Sequence, residues 1–146
     1  MVSRHADWLK QGQRDLAHGR RSLDAGDYEW ACFAAQQGAE KAVKAVVEKM
    51  GGVAWGHSVT ALLEALSESL RPDPGLLDAA KALDKHYIPA RYPNSHPQGA
   101  PYEYYTRTEA ESALVHAGQV IGFCEGVLAG PSADSSASQA CCPSDA

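Results

Sequence analysis

The chain has 146 residues, a formal net charge of −5, 45% hydrophobic residues and 21% charged residues. These values are typical of one globular domain. The negative charge argues against a non-specific binder of duplex DNA, which needs a basic face. No apolar run approaches the roughly 20 residues needed to cross a bilayer, and the first residues lack the apolar segment of a secretory signal. We therefore expect a cytoplasmic protein with no membrane or duplex-DNA partner.

Two helices are predicted at the start of the chain. The first extends from about residue 3 to residue 24, with Ser3 as a plausible N-cap and Gly26 at its end. The second covers about residues 27–50, where apolar side chains recur with helical spacing, and it stops at Gly51 and Gly52.

Three further helices are predicted, each with a start signal. Ser58 is a good N-cap for the third helix. Asp73 is a good N-cap for the fourth helix, because the proline that follows it is typical of the first helical position. The fifth helix opens with two overlapping capping boxes, Thr106 to Glu109 and Thr108 to Glu111.

No segment alternates convincingly with the period of a β-strand, so we predict an all-α protein. Long amphipathic helices joined by short connections pack as an up-and-down bundle. Residues 1–129 form this predicted bundle. From residue 130 onward the sequence is polar and poor in apolar side chains, and it is interpreted as a disordered tail.

The four cysteines do not have the spacing of a metal site. Cys32 and Cys124 stand alone inside helical patterns, which favours buried free thiols, and Cys141 and Cys142 are adjacent in the tail. Because the chain has no CxxC pair, we expect no zinc and no cofactor.

The segment of greatest functional interest follows the fourth helix. Arg91 and His96 lie there, with Asn94 between them, in a loop of about residues 89–105 that four prolines are expected to keep free of helix. Arginine holds phosphate with two parallel hydrogen bonds, and histidine moves protons near neutral pH. The pattern indicates an anion site with an acid–base group beside it. The alternative is that Arg91 pairs with a carboxylate of another helix and His96 is solvated.

A polar stripe on the second helix is a further candidate. Its members follow at helical spacing: Gln37, Glu40, Lys41 and Lys44. The stripe either lines a cleft beside a buried seam or is an ordinary solvated face.

Aromatic and imidazole side chains complete the candidate set. His57 precedes the N-terminus of the third helix, where an anion is favoured, although it could instead pack against Trp55. Rings near an arginine could stack a base, or could simply cover one end of the bundle. Those tyrosines are Tyr87, Tyr92, Tyr102, Tyr104 and Tyr105.

Several linked motifs, taken in order, resemble the HEPN family of small helical-bundle proteins. They cover roughly residues 6–128 and are, in chain order, Gly26-Asp27-Tyr28, residues 30–37, residues 40–44, Gly56-His57-Ser58, Leu83-Asp84, Tyr87-Ile88-Pro89 and Arg91-Tyr92-Pro93. The resemblance implies a bundle of four long helices with one short extra helix, paired as a homodimer. It also implies a minimal nucleotidyltransferase as partner in a toxin–antitoxin pair.

The resemblance implies a ligand and, in many members, a reaction. Family members bind nucleotides or cut RNA without a metal, using an Arg-x4-6-His motif that matches Arg91 and His96. In a ribonuclease, Arg91 would stabilise the phosphorane charge and His96 would move a proton. The predicted phosphate-binding set is Arg91, Asn94, Lys41, Lys44, His57, Tyr87 and Tyr92, with Gln37, Glu40 and Asp84 in support.

Two departures from the nuclease pattern separate binding from cleavage. Tyr92 follows the arginine, where active members usually have a small polar residue. The tyrosine that some members place two residues after the histidine, where the partner adds AMP, is replaced by Gln98. The sequence therefore favours a nucleotide- or RNA-binding module over a ribonuclease toxin, with a purely structural helical adaptor as a third possibility.

Overall fold

The structure, a computed structural model, describes residues 3–130 and consists of helices joined by short connections. The elements in chain order are α1 His5–Ala25, α2 Tyr28–Lys49, α3 Val59–Leu70, α4 Pro74–Asp84, a 3₁₀ turn Pro93–Ser95, α5 Pro101–Tyr104 and α6 Arg107–Ala129. No strand occurs within residues 3–130. The predicted all-α bundle with one short extra helix is confirmed.

Helix α2 is the centre of the bundle. It packs antiparallel to α1 and parallel to α6, and it also contacts α3 and α4. Its buried face consists largely of alanine and valine, which lets neighbouring helices approach closely. The larger core side chains, including Leu63 and Leu83, come from α3 and α4, and Val120 and Ile121 come from α6. The core is therefore assembled around α2.

Four of the predicted helix boundaries are confirmed by backbone geometry or side-chain caps. Gly26 ends α1 with a left-handed φ of 84°. The Ser58 hydroxyl accepts a hydrogen bond from the amide of Ala61 at 3.0 Å. The carboxylate of Asp73 accepts one from the amide of Leu76 at 2.8 Å, and the Thr106–Glu109 capping box is closed in both directions.

Two predicted caps are wrong. Helix α1 begins after Arg4, whose amide is held by Glu48 at 2.6 Å, so Ser3 lies one residue too early and its hydroxyl contacts His5 instead. The second capping box fails because α6 has already begun at Arg107. Glu111 pairs with Arg107 at 3.2 Å rather than with a helix-start amide.

Contrary to the expectation from the sequence, the prolines do not keep the 89–105 loop free of helix. Pro93 opens the 3₁₀ turn and Pro101 opens α5, and each stands in the first turn of its helix. A proline fits there because its missing N–H has no intrahelical partner at that position. The loop is consequently more ordered than the sequence suggested.

Helix α6 corrects another expectation. It has 23 residues and is long and apolar enough, by length and composition alone, to cross a membrane. The sequence of residues 112–129 contains one charged residue, Glu125, and its valine, leucine, isoleucine, phenylalanine and cysteine side chains raise its mean hydropathy. Core helices of globular proteins meet the same criterion, and α6 contributes Ala117, Val120 and Cys124 to the core. We interpret α6 as a core helix.

The prediction of buried free thiols at Cys32 and Cys124 is confirmed. Burial raises the pKa of both thiols to about 12, so both stay protonated at neutral pH. Cys141, Cys142 and all of the predicted tail except its first residue, Gly130, lie outside the described residues.

The crossing of α1 and α2 depends on two glycines, and this yields a first testable prediction. A Cβ atom on Gly38 would lie 2.8 Å from the carbonyl oxygen of Gly12, which is backbone and cannot rotate away. We expect Gly38→Ala to lower the free energy of unfolding by about 1–3 kcal/mol, because the helices must separate. Urea unfolding followed by circular dichroism measures the change.

Gly122 in α6 provides the matched control, since a Cβ there meets nothing within 4 Å. Gly122→Ala should leave stability unchanged or raise it by up to about 1 kcal/mol, because alanine is the better helix former. Equal stability of Gly38→Ala and wild type would show that the crossing is not tight.

Candidate functional site

Arg91 lies in the turn that follows α4, and its side chain is anchored to a backbone carbonyl four residues earlier in the same turn. Its Nε and Nη2 atoms donate to the carbonyl oxygen of Tyr87 at 3.0 and 2.8 Å. Nη1 lies 3.5 Å from the hydroxyl of Tyr92, which is a long contact. Because a guanidinium has five N–H donors, the outer edge formed by Nη1 and Nη2 retains donors for another group.

Three aromatic rings surround this guanidinium. Its central carbon lies 4.3 Å from the ring centroid of Phe33, 4.7 Å from that of Tyr87 and 4.9 Å from that of Tyr92. No carboxylate within residues 3–130 is at ion-pair distance from it. Pairing of Arg91 with a carboxylate, the alternative interpretation, is therefore not what the described residues show. The charge is held by rings and lacks a counter-ion there, an arrangement suited to an anion.

His96 is also fixed in place. Its Nε2 atom lies 2.8 Å from the carbonyl oxygen of Pro89, and its ring stacks on Tyr104 with centroids 4.4 Å apart and an interplanar angle of 16°. Since a carbonyl oxygen only accepts, Nε2 carries the hydrogen, and Nδ1 of the neutral ring is an acceptor. Asn94 lies exposed in the 3₁₀ turn between Arg91 and His96.

The polar stripe of α2 is centred on a buried carboxylate. The side chain of Glu40 is only 4% exposed, and its Oε2 accepts from Lys44 Nζ at 2.9 Å. Its Oε1 accepts from the side-chain amides of Gln37 at 3.2 Å and Gln36 at 3.4 Å. Glu40 is thus fully engaged inside the protein, and the stripe is not an ordinary solvated face.

His57 links this stripe to the Arg91 corner, which we define as Arg91 with the rings of Phe33, Tyr87 and Tyr92. Its Nδ1 lies 3.3 Å from Oε2 of Glu40, and its ring stacks on Tyr87 with centroids 4.6 Å apart and an interplanar angle of 17°. The side chain of His57 remains 56% exposed. Packing of His57 against Trp55, as expected from the sequence, is wrong: the ring of His57 contacts Tyr87, and Trp55 is 80% exposed.

Two predicted site residues have structural tasks elsewhere. Lys41 turns towards α1 and forms an ion pair with Asp15 at 2.6 Å, so it does not join Lys44. Asp84 caps α3, because its carboxylate accepts from the amides of Val59 at 2.8 Å and Thr60 at 3.0 Å and from the hydroxyl of Ser58. Asp84 thereby fixes the end of α4, from which the Arg91 turn departs.

The other tyrosines differ in their surroundings. Tyr102 is 66% exposed, whereas the hydroxyl of Tyr105 lies 3.1 Å from Nδ1 of His86 between α4 and α6. Burial raises the pKa of Tyr105 and lowers that of His86. This pair is part of the packing and lies apart from the Arg91 corner.

Sequence reasoning missed two contributors to the site and one contact of Tyr104, which was already among the candidate rings. Phe33 precedes Gln37 by four residues and so belongs to the same helical stripe, a signal that could have been used. Gln36 is fully buried and donates to the carbonyl oxygen of His57 at 2.8 Å, and Tyr104 supports His96 from a different helix. Nothing in local spacing predicts those last two contacts.

These features agree with comparisons to known proteins. The family model of the HEPN domain matches residues 5–127, and the chain belongs to the HEPN family. The family resemblance drawn from the sequence motifs is confirmed.

Particular relatives extend this assignment. The chain is similar to a protein of Methanocaldococcus jannaschii named "Putative toxin MJ1304", with 26% identity over 78% of this chain and 81% of the relative. It also resembles the crystal structure of TT1696 from Thermus thermophilus, with a TM-score of 0.84, 50% identity, and coverage of 86% of this chain and 98% of that one. An archaeal HEPN homologue, ST0689, gives a TM-score of 0.73 with 41% identity over 86% of this chain and 98% of its own.

Proposed function

We propose that this protein binds a phosphate group of a nucleotide or of RNA at Arg91, and that it works as a cytoplasmic homodimer. The observation that carries the proposal is a guanidinium held by one carbonyl and three rings, without a carboxylate among residues 3–130. The open Nη1–Nη2 edge can donate two parallel hydrogen bonds to phosphate oxygens. The exposed ring of Tyr92 supplies surface for a base.

Exposed apolar side chains near this corner support the dimer. They are Trp30, Ile88, Tyr92, Tyr102 and Tyr104, each at least 40% exposed. Exposed rings of this kind are enriched at protein–protein interfaces. A homodimer through this face would bring two Arg91 corners together and exclude water from them.

The wider setting that we propose is a toxin–antitoxin module with a minimal nucleotidyltransferase as the second protein. Similarity to the relative named a putative toxin supports this setting. The test is co-expression with a minimal nucleotidyltransferase encoded by the neighbouring reading frame, followed by affinity capture through a tag on this chain. Recovery of a stoichiometric complex supports the module, and recovery of this chain alone contradicts it.

Binding itself is tested by titrating the wild-type protein into fluorescently labelled ATP and into a labelled short RNA at two salt concentrations. We expect saturable binding that weakens as salt increases, because the contact is to phosphate. Absence of saturable binding to both probes would leave a helical interaction module without a ligand.

A second candidate function, a metal-independent ribonuclease, is favoured by one specific observation. The ring of His96 is oriented by Pro89 and Tyr104, with Nδ1 as an acceptor, and general bases are commonly oriented in this manner. In that reaction, His96 takes the proton of the ribose 2′-hydroxyl as the oxygen attacks the phosphorus. The bond from phosphorus to the 5′-oxygen then breaks, and the departing 5′-oxygen takes a proton from water. Arg91 stabilises the charge of the phosphorane.

The ribonuclease candidate makes a distinct prediction. Incubation of the dimeric protein with RNA in EDTA should give fragments that end in 2′,3′-cyclic phosphate. His96→Ala should reduce their rate of formation by about 100-fold or more, the usual contribution of a general base. Intact RNA in the presence of a dimeric wild-type protein would remove this candidate, while nucleotide binding could still stand.

A further inference from the structure

A continuous series of contacts leads from the buried carboxylate of Glu40 in α2 to the Arg91 corner. It passes from Glu40 to His57, from His57 to Tyr87, and from Tyr87 to Arg91. We propose that Glu40 and His57 are positioning residues, which hold Tyr87 so that Arg91 presents its open edge in a fixed direction. The inference rests on the proposed function for its effect on ligand affinity, although the positioning itself can be measured without a ligand.

The first step is the rigidity of Glu40. Its carboxylate is almost completely buried and receives hydrogen bonds from Gln36, Gln37 and Lys44. A buried carboxylate with several donors has few alternative orientations, since each alternative leaves a donor unpaired. Glu40 therefore offers His57 a fixed partner at the surface end of this network.

The second step is the placement of His57. This side chain is more than half exposed, so burial does not determine its position. Two polar contacts do: Nδ1 meets Oε2 of Glu40 at 3.3 Å, and the backbone carbonyl accepts from Gln36 at 2.8 Å. Both contacts come from the same face of α2. They tie the segment before α3 to that helix and leave the ring flat against Tyr87.

The third step is the double role of Tyr87. Its backbone carbonyl accepts both hydrogen bonds from Arg91, and its ring lies 4.7 Å from the guanidinium carbon. The same ring is stacked on His57 and lies 6.2 Å from Phe33, measured between centroids. Loss of the His57 ring would free one face of Tyr87 and increase the range of orientations open to Arg91.

The residues of this series lie far apart in the sequence. Glu40, His57 and Tyr87 come from three separate parts of the chain, and only their packing brings them together. None of the three needs to contact the ligand for the effect to occur. Their contribution is to reduce the conformational freedom that Arg91 would otherwise lose when an anion binds.

Substitutions at His57 separate this role from a direct charge effect. His57→Ala removes both the ring and the hydrogen bond to Glu40, whereas His57→Phe keeps a flat ring over Tyr87 and removes the polar atoms. His18, exposed on α1, provides the matched control as His18→Ala. Because His57 is largely exposed, all three variants should fold, which thermal unfolding will verify.

Two measurements are made on each variant: affinity for labelled ATP, and the NMR cross-peak of the Arg91 Nε–H group in the absence of nucleotide. We expect His57→Ala to weaken ATP binding by about 3- to 10-fold, the range that a stacked ring pair contributes. It should also shift and broaden the cross-peak. His57→Phe keeps the ring over Tyr87 but loses the contact with Glu40, so its affinity should lie between those of His57→Ala and wild type. His18→Ala should change neither measurement.

Glu40→Gln tests the buried end of the series, because the amide keeps the shape of the carboxylate but weakens the contacts with His57 and Lys44. We expect a shifted Arg91 cross-peak and a smaller loss of affinity than with His57→Ala. An unmoved cross-peak in both His57→Ala and Glu40→Gln would overturn the positioning role. So would equal losses in His57→Ala and His57→Phe, since the ring stacked on Tyr87 would then contribute nothing to the position of Arg91.

Failure of the proposed function is distinguishable from failure of this inference. If Arg91→Ala binds ATP as well as wild type does, the ligand site is elsewhere, and the cross-peak alone decides whether His57 positions Arg91. If Arg91→Ala abolishes binding while His57→Ala changes neither affinity nor cross-peak, the proposed function stands and the positioning role is wrong.

Discussion

Arg91→Ala should weaken the binding of labelled ATP by about 30-fold or more, while leaving the melting temperature nearly unchanged. The expected loss corresponds to about 2 kcal/mol, the contribution of charge-assisted hydrogen bonds to one phosphate group. Stability should change little because Arg91 is only partly buried, so solvent weakens both its hydrogen bonds to Tyr87 and its contacts with the three rings. Fluorescence anisotropy gives the affinity and calorimetry gives the melting temperature.

Two further variants sharpen this prediction. Arg91→Lys keeps the charge but loses the planar fork and the ring stacking, so it should recover only part of the affinity. Arg14→Ala removes an exposed arginine from α1 and should bind as wild type does. If Arg14→Ala weakens binding as much as Arg91→Ala does, the effect is general electrostatics and Arg91 is not a specific site.

Glu40→Ala should lower the free energy of unfolding by about 3–5 kcal/mol, the cost of breaking a buried ion pair from one side. The variant leaves the ammonium group of Lys44 without its partner in a side chain that is only 11% exposed. It also removes one of the two acceptors of the side-chain amide of Gln36 and one of the two of Gln37. Urea unfolding at pH 7 measures the change.

Glu111→Ala is the control for this prediction, since Glu111 pairs with Arg107 on the surface and both side chains are more than half exposed. An exposed ion pair of this kind contributes up to about 1 kcal/mol, so the control should unfold close to wild type. Comparable losses in the two variants would mean that the Glu40 network has no special weight in the fold.

The structure offers a physical explanation for one departure from the nuclease pattern, the presence of Tyr92 after the arginine. The position after the arginine is occupied here by a ring, which lies 4.9 Å from the guanidinium and has its hydroxyl 3.5 Å from Nη1. A small polar residue at this position could offer a hydrogen bond but no ring surface. The substitution favours the stacking and holding of a ligand, in line with binding as the first proposal.

The helices were predictable because their signals are local. Gly26 takes a left-handed conformation that favours glycine, and the side chains of Ser58, Asp73 and Thr106 cap amides within three residues of themselves. The errors had more than one cause: the second capping box failed for a local reason, because α6 already begins at Arg107. Helix α1 begins one residue later than predicted, after Arg4, and the amide of Arg4 donates to Glu48 near the C-terminus of α2.

The candidate site was predictable in outline and not in detail. Lys41 and Lys44 were both expected to face it, since helical spacing places them on one side of α2. Asp15 of α1 takes Lys41 out of the set, and Glu40 retains Lys44. Spacing cannot show which neighbouring helix supplies a carboxylate. For the same reason the stacking of His57 on Tyr87 could be found only from the structure.

The most direct test is a crystal structure of the protein grown with AMP. We predict phosphate oxygens within hydrogen-bond distance of Nη1 and Nη2 of Arg91, while Nε remains on the carbonyl of Tyr87. An AMP molecule bound elsewhere, with the Arg91 corner unchanged, would contradict the proposal. So would a dimer in which a carboxylate of the second copy pairs with Arg91 and leaves no room for an anion.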